Sequence, residues 1–350
     1  METMHKHGSA GAEGVESADL PLIEALMLDG RAPFSRLAQV LGVSDQTVVR
    51  RYRRLRTSGL LRVVGQPRSE RVGLQESWLR VACTPDATAT VAEALARRPD
   101  IAWVNLVSGG AEIHCMTKAH SRQDIESLLL RKLPRTRQVT GLAAHTVLRR
   151  FSGGPGRRWG DLGALTEEQT TALRTHPVPA PESRPALVLD EAEHAMLAVL
   201  GRDGRAGHPE LARAARLSES TARRRLDRLI HSGALGFGVE MAPELLGLGS
   251  HAILLASVPP GRLAAVGAAV GRHREVPFAA ALTGAANLLA IVVCRDSEHL
   301  YTYLTEHIGA IPDVRQLEVV PVLRAVKRAG MLLDGLRLAD LPEHPGPLTP

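Results

Sequence analysis

Near its start, the chain carries hydrophobic residues at helical spacing in three short segments. This periodicity predicts helices over about 20–28, 34–41 and 45–57. Gly42 ends the second helix, and Ser44 is placed to cap the third by accepting a hydrogen bond from its first turn. Three short helices with a tight turn before the third are typical of a helix-turn-helix. The pattern therefore predicts a helix-turn-helix domain in this part of the chain.

The same plan occurs a second time, 174 residues further along the chain. Without a gap, residues 29–61 lie over 203–235 with fifteen identities in 33 positions, far above the chance level. The tetrapeptide Asp-Gly-Arg-Ala begins both copies, at 29–32 and at 203–206. A period of this length is much longer than that of a solenoid repeat, so each copy is a whole module.

Behind each helical segment, strand-like and helix-like patterns alternate in the order β-α-β-β-α-β. In the first copy, the predicted elements are 78–84, 87–97, 102–108, 112–118, 122–132 and 141–149. In the second copy, they are 251–258, 261–272, 276–282, 288–294, 297–308 and 314–324. This order is that of a ferredoxin-like fold, whose sheet has helices on one face and needs a partner on the other. The predicted fold class is α+β: two helix-turn-helix domains, each followed by a ferredoxin-like domain.

The patterns divide the chain into folded domains, a linker and two ends. The predicted parts are a disordered N-terminus (1–16), a helix-turn-helix (17–66), a ferredoxin-like domain (75–150), a Gly/Pro-rich linker (151–186), a second helix-turn-helix (187–240), a second ferredoxin-like domain (247–330) and a disordered tail (337–350). A short helix is predicted inside the linker over 165–175. The apolar stretches 60–64 and 235–239 are expected to form a small wing behind each third helix.

The third helix of each module has one apolar face and one basic face. In the first copy, Val48, Tyr52 and Leu55 share the apolar face, and the matching positions of the second copy are also apolar. The segment 44–57 carries five Arg and one Asp, and 218–231 carries four Arg and two acidic residues. Such a helix fits the major groove, where its first residues meet base edges and its arginines meet phosphates or guanine. Because the two helices differ in sequence, we expect two different DNA half-sites, with the first copy binding more strongly.

Composition adds a basic character to this picture. The chain has 350 residues, a net charge of +6 and only four Lys among its 43 basic residues. Guanidinium is the better fork for phosphate, so this Arg content suits a nucleic-acid partner. The length and a hydrophobic content of 44% favour two or more folded domains and exclude wholesale disorder, collagen and a coiled coil.

The sequence offers little support for other chemistry. Cys83, Cys115 and Cys294 are odd in number, far apart and in apolar stretches, which suits a reducing cytosol better than a disulfide framework. There is no CxxC, HExxH, P-loop, nucleophile elbow or GxGxxG, so no metal site, catalytic residue or cofactor is expected. The first fifteen residues have no apolar core, and the uncharged stretch 278–294 is short for a membrane span. We therefore expect a cytoplasmic protein without membrane contact.

The helix-turn-helix sequence resembles a known family of regulators. The stretch that carries the resemblance is Leu37-Ala38…Leu41-Gly42-Val43-Ser44-x-x-Thr47-Val48-x-Arg50-Arg51-x-x-Arg54-Leu55-x-x-x-Gly59-Leu60-Leu61. It is similar to the DNA-binding half of the Lrp/AsnC (feast/famine) transcriptional regulators, and the β-α-β-β-α-β part resembles their RAM effector domain. Because the resemblance occurs twice, the chain looks like two fused family members.

The resemblance and the helical wheel together imply a set of DNA contacts in each copy. In the first copy they are Ser44, Gln46, Thr47, Arg50, Arg51, Arg53 and Arg54. In the second copy they are Ser218, Ser220, Thr221, Arg223, Arg224, Arg225 and Arg228. Arg51 and Arg225 lie near the apolar edge of the wheel, so phosphate contacts are expected from them.

The resemblance also implies a small-molecule effector, such as an amino acid. RAM domains of this family pair through their sheets, and many bind an amino acid near the turn between the second and third strands. The candidate effector-binding residues at these turns are Gly109, Gly110 and Glu112 in the first copy and Gly284 and Asn287 in the second. The family usually has Gly followed closely by Asp, and Glu112 and Asn287 depart from that pattern. The expected partners are double-stranded DNA and an effector, in a homo-oligomer or with the two RAM domains paired within one chain.

Two other functions share this architecture. Siroheme decarboxylases resemble the same plan, sometimes as fused pairs, but their Ser-His-Cys-Tyr segment does not occur here. The nearest feature is Ile113-His114-Cys115 on a strand, which is more typical of a structural position. The second alternative function is that of a sensing or interaction module that does not bind DNA. Trp159, in the linker sequence Arg157-Arg158-Trp159-Gly160, has no assigned role.

Overall fold

The computed structural model describes residues 14–119, 123, 126, 137–153, 162–174 and 186–339. The predicted helix over 122–132 lies almost wholly outside the described residues, as do Trp159, residues 1–13 and residues 340–350. The described parts form two helix-turn-helix domains and two ferredoxin-like domains. The α+β class and the duplicated plan predicted from the sequence are confirmed.

The elements follow one another in a repeated order. The first half contains α1 (Leu20–Leu28), α2 (Phe34–Leu41), α3 (Asp45–Thr57), β1 (Arg62–Pro67), β2 (Gln75–Cys83), α4 (Thr88–Ala96), β3 (Ile101–Val107), β4 (Glu112–Ala119) and β5 (Val139–Ser152). The linker contains the short helix α5 (Glu167–Leu173). The second half contains α6 (Glu191–Arg202), α7 (His208–Ala215), α8 (Glu219–His231), β6 (Leu235–Glu240), β7 (Ser250–Ser257), α9 (Leu263–Val270), β8 (Phe278–Leu282), β9 (Leu288–Cys294), α10 (Ser297–Thr302), β10 (Gln316–Arg328), β11 (Met331–Asp334) and β12 (Arg337–Ala339).

The third helices α3 and α8, which we call the recognition helices, begin and pack as predicted. Ser44 and Ser218 cap them by accepting hydrogen bonds from the backbone N–H groups three residues later. The buried residues are Val48, Tyr52 and Leu55 on α3 and Ala222, Leu226 and Leu229 on α8. Gly42 ends α2 at φ 68°, a left-handed conformation that Gly adopts without the steric cost of a Cβ.

The sequence led us to expect a separate wing behind each recognition helix, and this expectation is wrong. Instead β1 and β6 pair with each other as an antiparallel two-stranded sheet that joins the two helix-turn-helix domains. Val64 lies opposite Gly238, which is the residue that the 174-residue repeat matches to it. The two domains are therefore related by a local twofold axis through this pair. A strand needs a partner for its backbone groups, and here the partner comes from the other copy.

Each ferredoxin-like unit contributes four antiparallel strands. Their order is β3-β4-β2-β5 in the first unit and β8-β9-β7-β10 in the second. Helix α4 covers the outer face of the first sheet, and α9 covers that of the second. The inner faces meet in a core built from both units, which includes Trp78, Met116, Ile253, Leu255 and Leu289.

The long strands β5 and β10 close the two sheets into one ring. The first part of β5 pairs with β2 and its end pairs with β8, whereas β10 pairs first with β7 and then with β3. The pairs Val147↔Leu282 and Val322↔Val107 correspond to each other at an offset of 175 residues, one more than in the helix-turn-helix repeat, as do the register shifts beside them. Of the two arrangements left open by the sequence, the structure therefore shows the two RAM domains paired within one chain.

Two parts of the chain predicted to be linker or tail lie against the folded core. In the linker, Leu162, Leu165 and Leu173 pack on the core of the first helix-turn-helix, and the buried Glu24 accepts hydrogen bonds from the backbone of residues 164 and 165. In the tail, residues 337–339 form β12, and Leu338 is only 4% exposed. The prediction of a disordered tail from residue 337 is therefore wrong for residues 337–339, because β12 pairs with β11 and Leu338 packs against Val64 and Met331.

Candidate DNA-binding surface and effector turns

The outward face of α3 presents a short polar and basic surface. Gln46, Arg50 and Arg53 are exposed along it, opposite the buried apolar face. At its start, the hydroxyl groups of Ser44 and Thr47 lie 2.9 Å apart, beside the N–H groups that begin the helix. Such a face can offer amide, hydroxyl and guanidinium donors to base edges and phosphates.

The outward face of α8 has the same layout with a weaker charge. Ser220, Arg223 and Arg224 are exposed, and Asp227 stands where α3 has Arg53. The hydroxyl of Ser218 lies 2.9 Å from that of Thr221. One acid in place of one arginine removes two units of positive charge from this face, which weakens its attraction for phosphate.

One predicted DNA-contact arginine of each recognition helix is paired with a buried acid. Arg54 donates to the Asp19 carboxylate and, at 2.7 Å, to the Gly14 carbonyl oxygen. Arg228 donates to Glu193 at the matching place in the second unit. Asp19 and Glu193 are both 0% exposed, so each arginine neutralises a charge that has been removed from water. Both arginines thus stabilise their own domain, a role that the sequence pattern did not indicate.

The neighbouring arginines are also held by their own domains. Arg51 donates to the Ala18 carbonyl oxygen at 2.7 Å. Arg225 pairs with the Asp190 carboxylate, and this hydrogen bond holds the pKa of Asp190 below its ordinary value. All four of these arginines bind groups near the N-terminus of their domain, which lie 33 or 35 residues earlier in the chain. Apart from the two capping serines and Arg228, the exposed residues among the predicted DNA contacts are Gln46, Arg50, Arg53, Ser220, Arg223 and Arg224.

The backbone of the first candidate effector turn has positive φ angles that favour glycine. Gly109 and Gly110 have φ of 67° and 92°, where other residues are strained. The Glu112 carboxylate is already bound by Arg80, at 3.1 Å, and by the His114 ring nitrogen, at 3.2 Å. Its pKa lies below the ordinary value; burial opposes this shift, but the hydrogen bond and charge of Arg80 outweigh it.

The second candidate turn also has a glycine with positive φ and a polar side chain bound within the protein. Gly284 has φ of 113°, and a Cβ there would lie 2.8 Å from the His145 ring. The Asn287 amide exchanges two hydrogen bonds with the backbone of Val258, at 2.9 and 2.8 Å. Both predicted effector side chains, Glu112 and Asn287, are thus engaged within the protein.

The structure reveals a polar cluster between the two sheets that sequence reasoning missed. Arg80 bridges Glu112 of its own unit and Glu318 of the other, at 3.1 and 2.9 Å. His114 beside them is fully buried, and burial lowers its pKa to about 4. Leu255 matches Arg80 in the second unit, so the cluster exists in one half only. The alternation of polar and apolar residues on β2 and β4 is the one sequence signal for it.

The described ranges contain neither a candidate metal site nor a helix that could span a membrane. No group of three or more His, Cys, Asp or Glu among them could hold a metal ion. None of their helices combines the length and the apolar character that crossing a bilayer requires. The Ile113-His114-Cys115 segment lies on β4 with all three residues buried, and burial raises the pKa of the Cys115 thiol to about 12.

Comparison with known families identifies both kinds of domain. The model of the AsnC-type helix-turn-helix domain matches residues 17–56 and 189–230. The model of the Lrp/AsnC ligand binding domain matches residues 78–156 and 251–332. The chain belongs to the Lrp/AsnC family. Each of its halves carries one DNA-binding-type domain and one ligand-binding-type domain of that family.

Curated relatives are about half as long as this chain. An uncharacterized HTH-type transcriptional regulator of Pyrococcus abyssi is 30% identical over 143 residues, which are 41% of this chain and 90% of that protein. The HTH-type transcriptional regulator AldR of Mycobacterium tuberculosis is 28% identical over 43% of this chain and 87% of its own length. One such relative therefore corresponds to one of the two units.

A solved structure matches both units together. The siroheme decarboxylase NirDL resembles this chain over 90% of its residues and 93% of that chain, with a TM-score of 0.58 and 16% identity. At this identity the likeness concerns the fold of a fused pair.

Proposed function

We propose that this chain is a sequence-specific DNA-binding transcription regulator that reads a two-part duplex site with α3 and α8. The observation that carries the proposal is the local twofold axis through Val64 and Gly238, which relates two outward basic recognition helices within one polypeptide. Two helices related in this way match the two halves of a palindrome-like operator. Because the two units are fused, one chain presents both helices, and DNA binding does not depend on prior dimerisation.

In this proposal, the outward residues divide the work of reading and positioning. Arg50 and Arg224 meet base edges or nearby phosphates from the middle of each helix, with Gln46 and Ser220 one turn earlier. The hydroxyl groups at the helix starts contact phosphates beside the N–H groups of the first turn. Arg51, Arg54, Arg225 and Arg228 act mainly by stabilising their own domain, and their exposed atoms can also contact a phosphate within reach.

The two half-sites are proposed to differ in sequence and in strength. Ser220 of α8 corresponds to Gln46 of α3, and Asp227 corresponds to Arg53. The two helices therefore offer different chemical groups to the two half-sites. An amide can form a two-point contact with adenine, whereas a serine hydroxyl discriminates less. The first unit should therefore provide most of the binding free energy.

Selection of genomic fragments with the purified chain, followed by footprinting, tests this proposal. The expected site is bipartite and asymmetric, and Arg50→Ala should weaken binding about 10- to 100-fold, more than Arg224→Ala does. Arg262→Ala is a matched control, because Arg262 is exposed on the ligand-binding half and loses the same charge. Equal, weak and sequence-independent binding by all three variants and the wild type would contradict the proposal and favour a module without DNA binding.

The effector part of the proposal concerns the turns at 108–112 and 283–287. We propose that a small molecule such as an amino acid binds beside them and changes DNA affinity, supported by the match to the ligand binding domain of the family. Since Glu112 and Asn287 are engaged internally, backbone groups of the turns would provide most of the contacts. Thermal unfolding with each amino acid in turn tests this, because a ligand bound to the folded state raises the melting temperature.

The proposal describes a binding protein rather than an enzyme. A purified sample that shifts the selected DNA and shows no absorbance of a bound tetrapyrrole agrees with it. A sample that carries such a pigment, and converts it while ignoring DNA, would instead support the decarboxylase reading of the shared fold.

A further inference from the structure

The tetrapeptide Asp-Gly-Arg-Ala, which begins both helix-turn-helix repeats, lies outside the recognition helices. It forms the turn between the first two helices of each domain, at 29–32 and 203–206. In each turn the aspartate accepts a hydrogen bond from the arginine N–H two residues later, at 3.1 Å in the first copy and 2.9 Å in the second. The two turns meet each other across the local twofold axis.

The arginines of the two turns cross the axis in opposite directions. Arg31 donates to the carbonyl oxygens of Gly204 and Ala206, at 2.6 and 3.2 Å. Arg205 donates to the carbonyl oxygens of Gly30 and Ala32, at 2.7 and 2.9 Å. Both guanidinium groups are largely buried, and burial lowers the pKa of each. We call this pair of reciprocal contacts the arginine latch.

The glycines of the two turns permit a close approach rather than an unusual backbone angle. A Cβ on Gly204 would lie 2.8 Å from the backbone carbon of Val64 and 2.9 Å from the Gly65 nitrogen. The Gly204 N–H also donates to the Val63 carbonyl oxygen at 2.7 Å. The second turn therefore rests directly on β1 of the first unit.

The latch also reaches the first recognition helix. The Arg205 guanidinium lies over the rings of Phe34 and Tyr52, at 4.2 and 5.4 Å from their centroids. Arg56, near the end of α3, donates to the Asp203 carboxylate at 2.5 Å. Helix α3 is thus held by the turn of the other unit at two points on its inner side.

From these contacts, we infer that the arginine latch fixes the separation and relative angle of the two recognition helices and so sets the spacing of DNA half-sites that the chain accepts. Arg31 and Arg205 are positioning residues, which act on DNA through α3 and α8. Half-site spacing is a geometric property, since half-sites one helical turn apart, about 10 base pairs, present the same face of the duplex. The part of this inference that concerns DNA rests on the proposed function.

A distance measurement without DNA tests the latch itself. Spin labels are attached to Thr57→Cys and His231→Cys, at matching exposed ends of α3 and α8. The native Cys83, Cys115 and Cys294 are at most 8% exposed, which leaves the two introduced thiols as the reactive ones. In the otherwise wild-type chain we expect one narrow distance distribution.

Two independent changes should broaden or shift that distribution. The first is Arg31→Lys with Arg205→Lys, which keeps both charges but loses the fork that reaches two carbonyl oxygens. The second is Gly204→Ala, which changes no charge and forces the turn away from β1. Gly201→Ala is the matched control, because a Cβ there has only the Gly65 oxygen nearby, at 3.9 Å. An unchanged distribution in both the lysine variant and Gly204→Ala, with circular dichroism showing them folded, would overturn the inference.

A spacing series of the selected DNA site then tests the functional consequence. Insertion of about five base pairs, half a helical turn, should weaken wild-type binding at least about tenfold but the latch variants less than about threefold. A wild type with no sequence-selective binding would count against the proposed function and leave the spin-label result standing. Latch variants that bind DNA with the wild-type spacing preference would count against the inference alone.

Discussion

Exchanging Arg54 for Met should destabilise the first helix-turn-helix domain, and exchanging Arg50 for Ala should not. Arg54 neutralises Asp19, whose side chain is 1% exposed, and also binds the Gly14 carbonyl oxygen. Without Arg54, the Asp19 carboxylate keeps a hydrogen bond from the Glu16 N–H, at 2.9 Å, but loses its counter-charge. Arg50, in contrast, is exposed on the outward face of α3, away from Asp19.

The magnitude follows from the burial of the two partners. Removing one member of a fully buried ion pair costs about 3–5 kcal/mol, because the remaining charge stays in a medium of low polarity. The Arg54 side chain is 37% exposed, so water can replace part of its interaction with Asp19. We therefore expect a loss of about 2 kcal/mol for Arg54→Met. A surface change such as Arg50→Ala should stay within about 0.5 kcal/mol.

Hydrogen exchange followed by mass spectrometry is the suitable assay, since a chain of several domains need not unfold in one step. A loss of about 2 kcal/mol should accelerate exchange in α1 and α3 about 30-fold, if these helices exchange through opening of their domain. Asp19→Asn added to Arg54→Met should restore most of the protection, because it removes the unpaired charge and keeps an acceptor for the Glu16 N–H. Wild-type protection in Arg54→Met, together with a loss of DNA binding as large as that of Arg50→Ala, would refute the reasoning.

Three further predictions concern buried titratable groups and stoichiometry. Burial raises the pKa of Glu240 to about 7, so the stability of the wild type should fall as the pH rises from about 4.5 through 7. Glu240→Gln should then be more stable than the wild type at pH 8, by about 2 kcal/mol, and not at pH 4.5. Hydrogen exchange of β6 in the variant and the wild type at each pH checks this, and an equal difference at both pH values would contradict it. Burial lowers the pKa of His114 to about 4, so stability should fall as the pH drops from about 6.5 through 4, and His114→Leu should make that fall smaller by about 2 kcal/mol. Leu suits the position because Leu289 occupies the matching place in the second unit, and a wild-type pH profile in the variant would contradict the assignment. One chain should occupy one bipartite DNA site, which mass photometry of the complex measures; a complex with two chains per site would show that the intrachain pair is not the reading unit.

Local features of the fold were predictable because they depend on nearby residues. The starts and ends of the recognition helices follow from Ser44, Ser218 and the glycines behind them, and the buried faces follow from helical spacing. The repeat of Asp-Gly-Arg-Ala could be detected in the sequence, but its role could not. Its contacts join residues 173 or 175 positions apart, and nothing local marks the carbonyl oxygens that the arginines bind.

The features that the sequence did not indicate share a dependence on distant partners. The wings were expected from apolar stretches behind the third helices, but β1 and β6 pair with each other across the twofold axis. The sequence assigned Arg54 and Arg228 to the DNA contacts without the information that buried acids lie beside them. Residues 162–174 were assigned to a linker, and they pack on the first domain because Glu24 and several leucines there need partners.

The contacts between the two halves favour pairing of unlike units over pairing of two identical ones. Arg80 of the first unit binds Glu318 of the second, and Ala143 and Leu255 stand at the matching places. Two first units together would pair Arg80 with Ala143 and leave its charge without this partner. Two second units would place Glu318 against Leu255 in the same space. Each like pair therefore lacks a counter-charge that the unlike pair supplies, which is a source of specificity by difference in affinity. Fusion into one chain keeps the unlike partners together, and it allows the two recognition helices to diverge independently of each other.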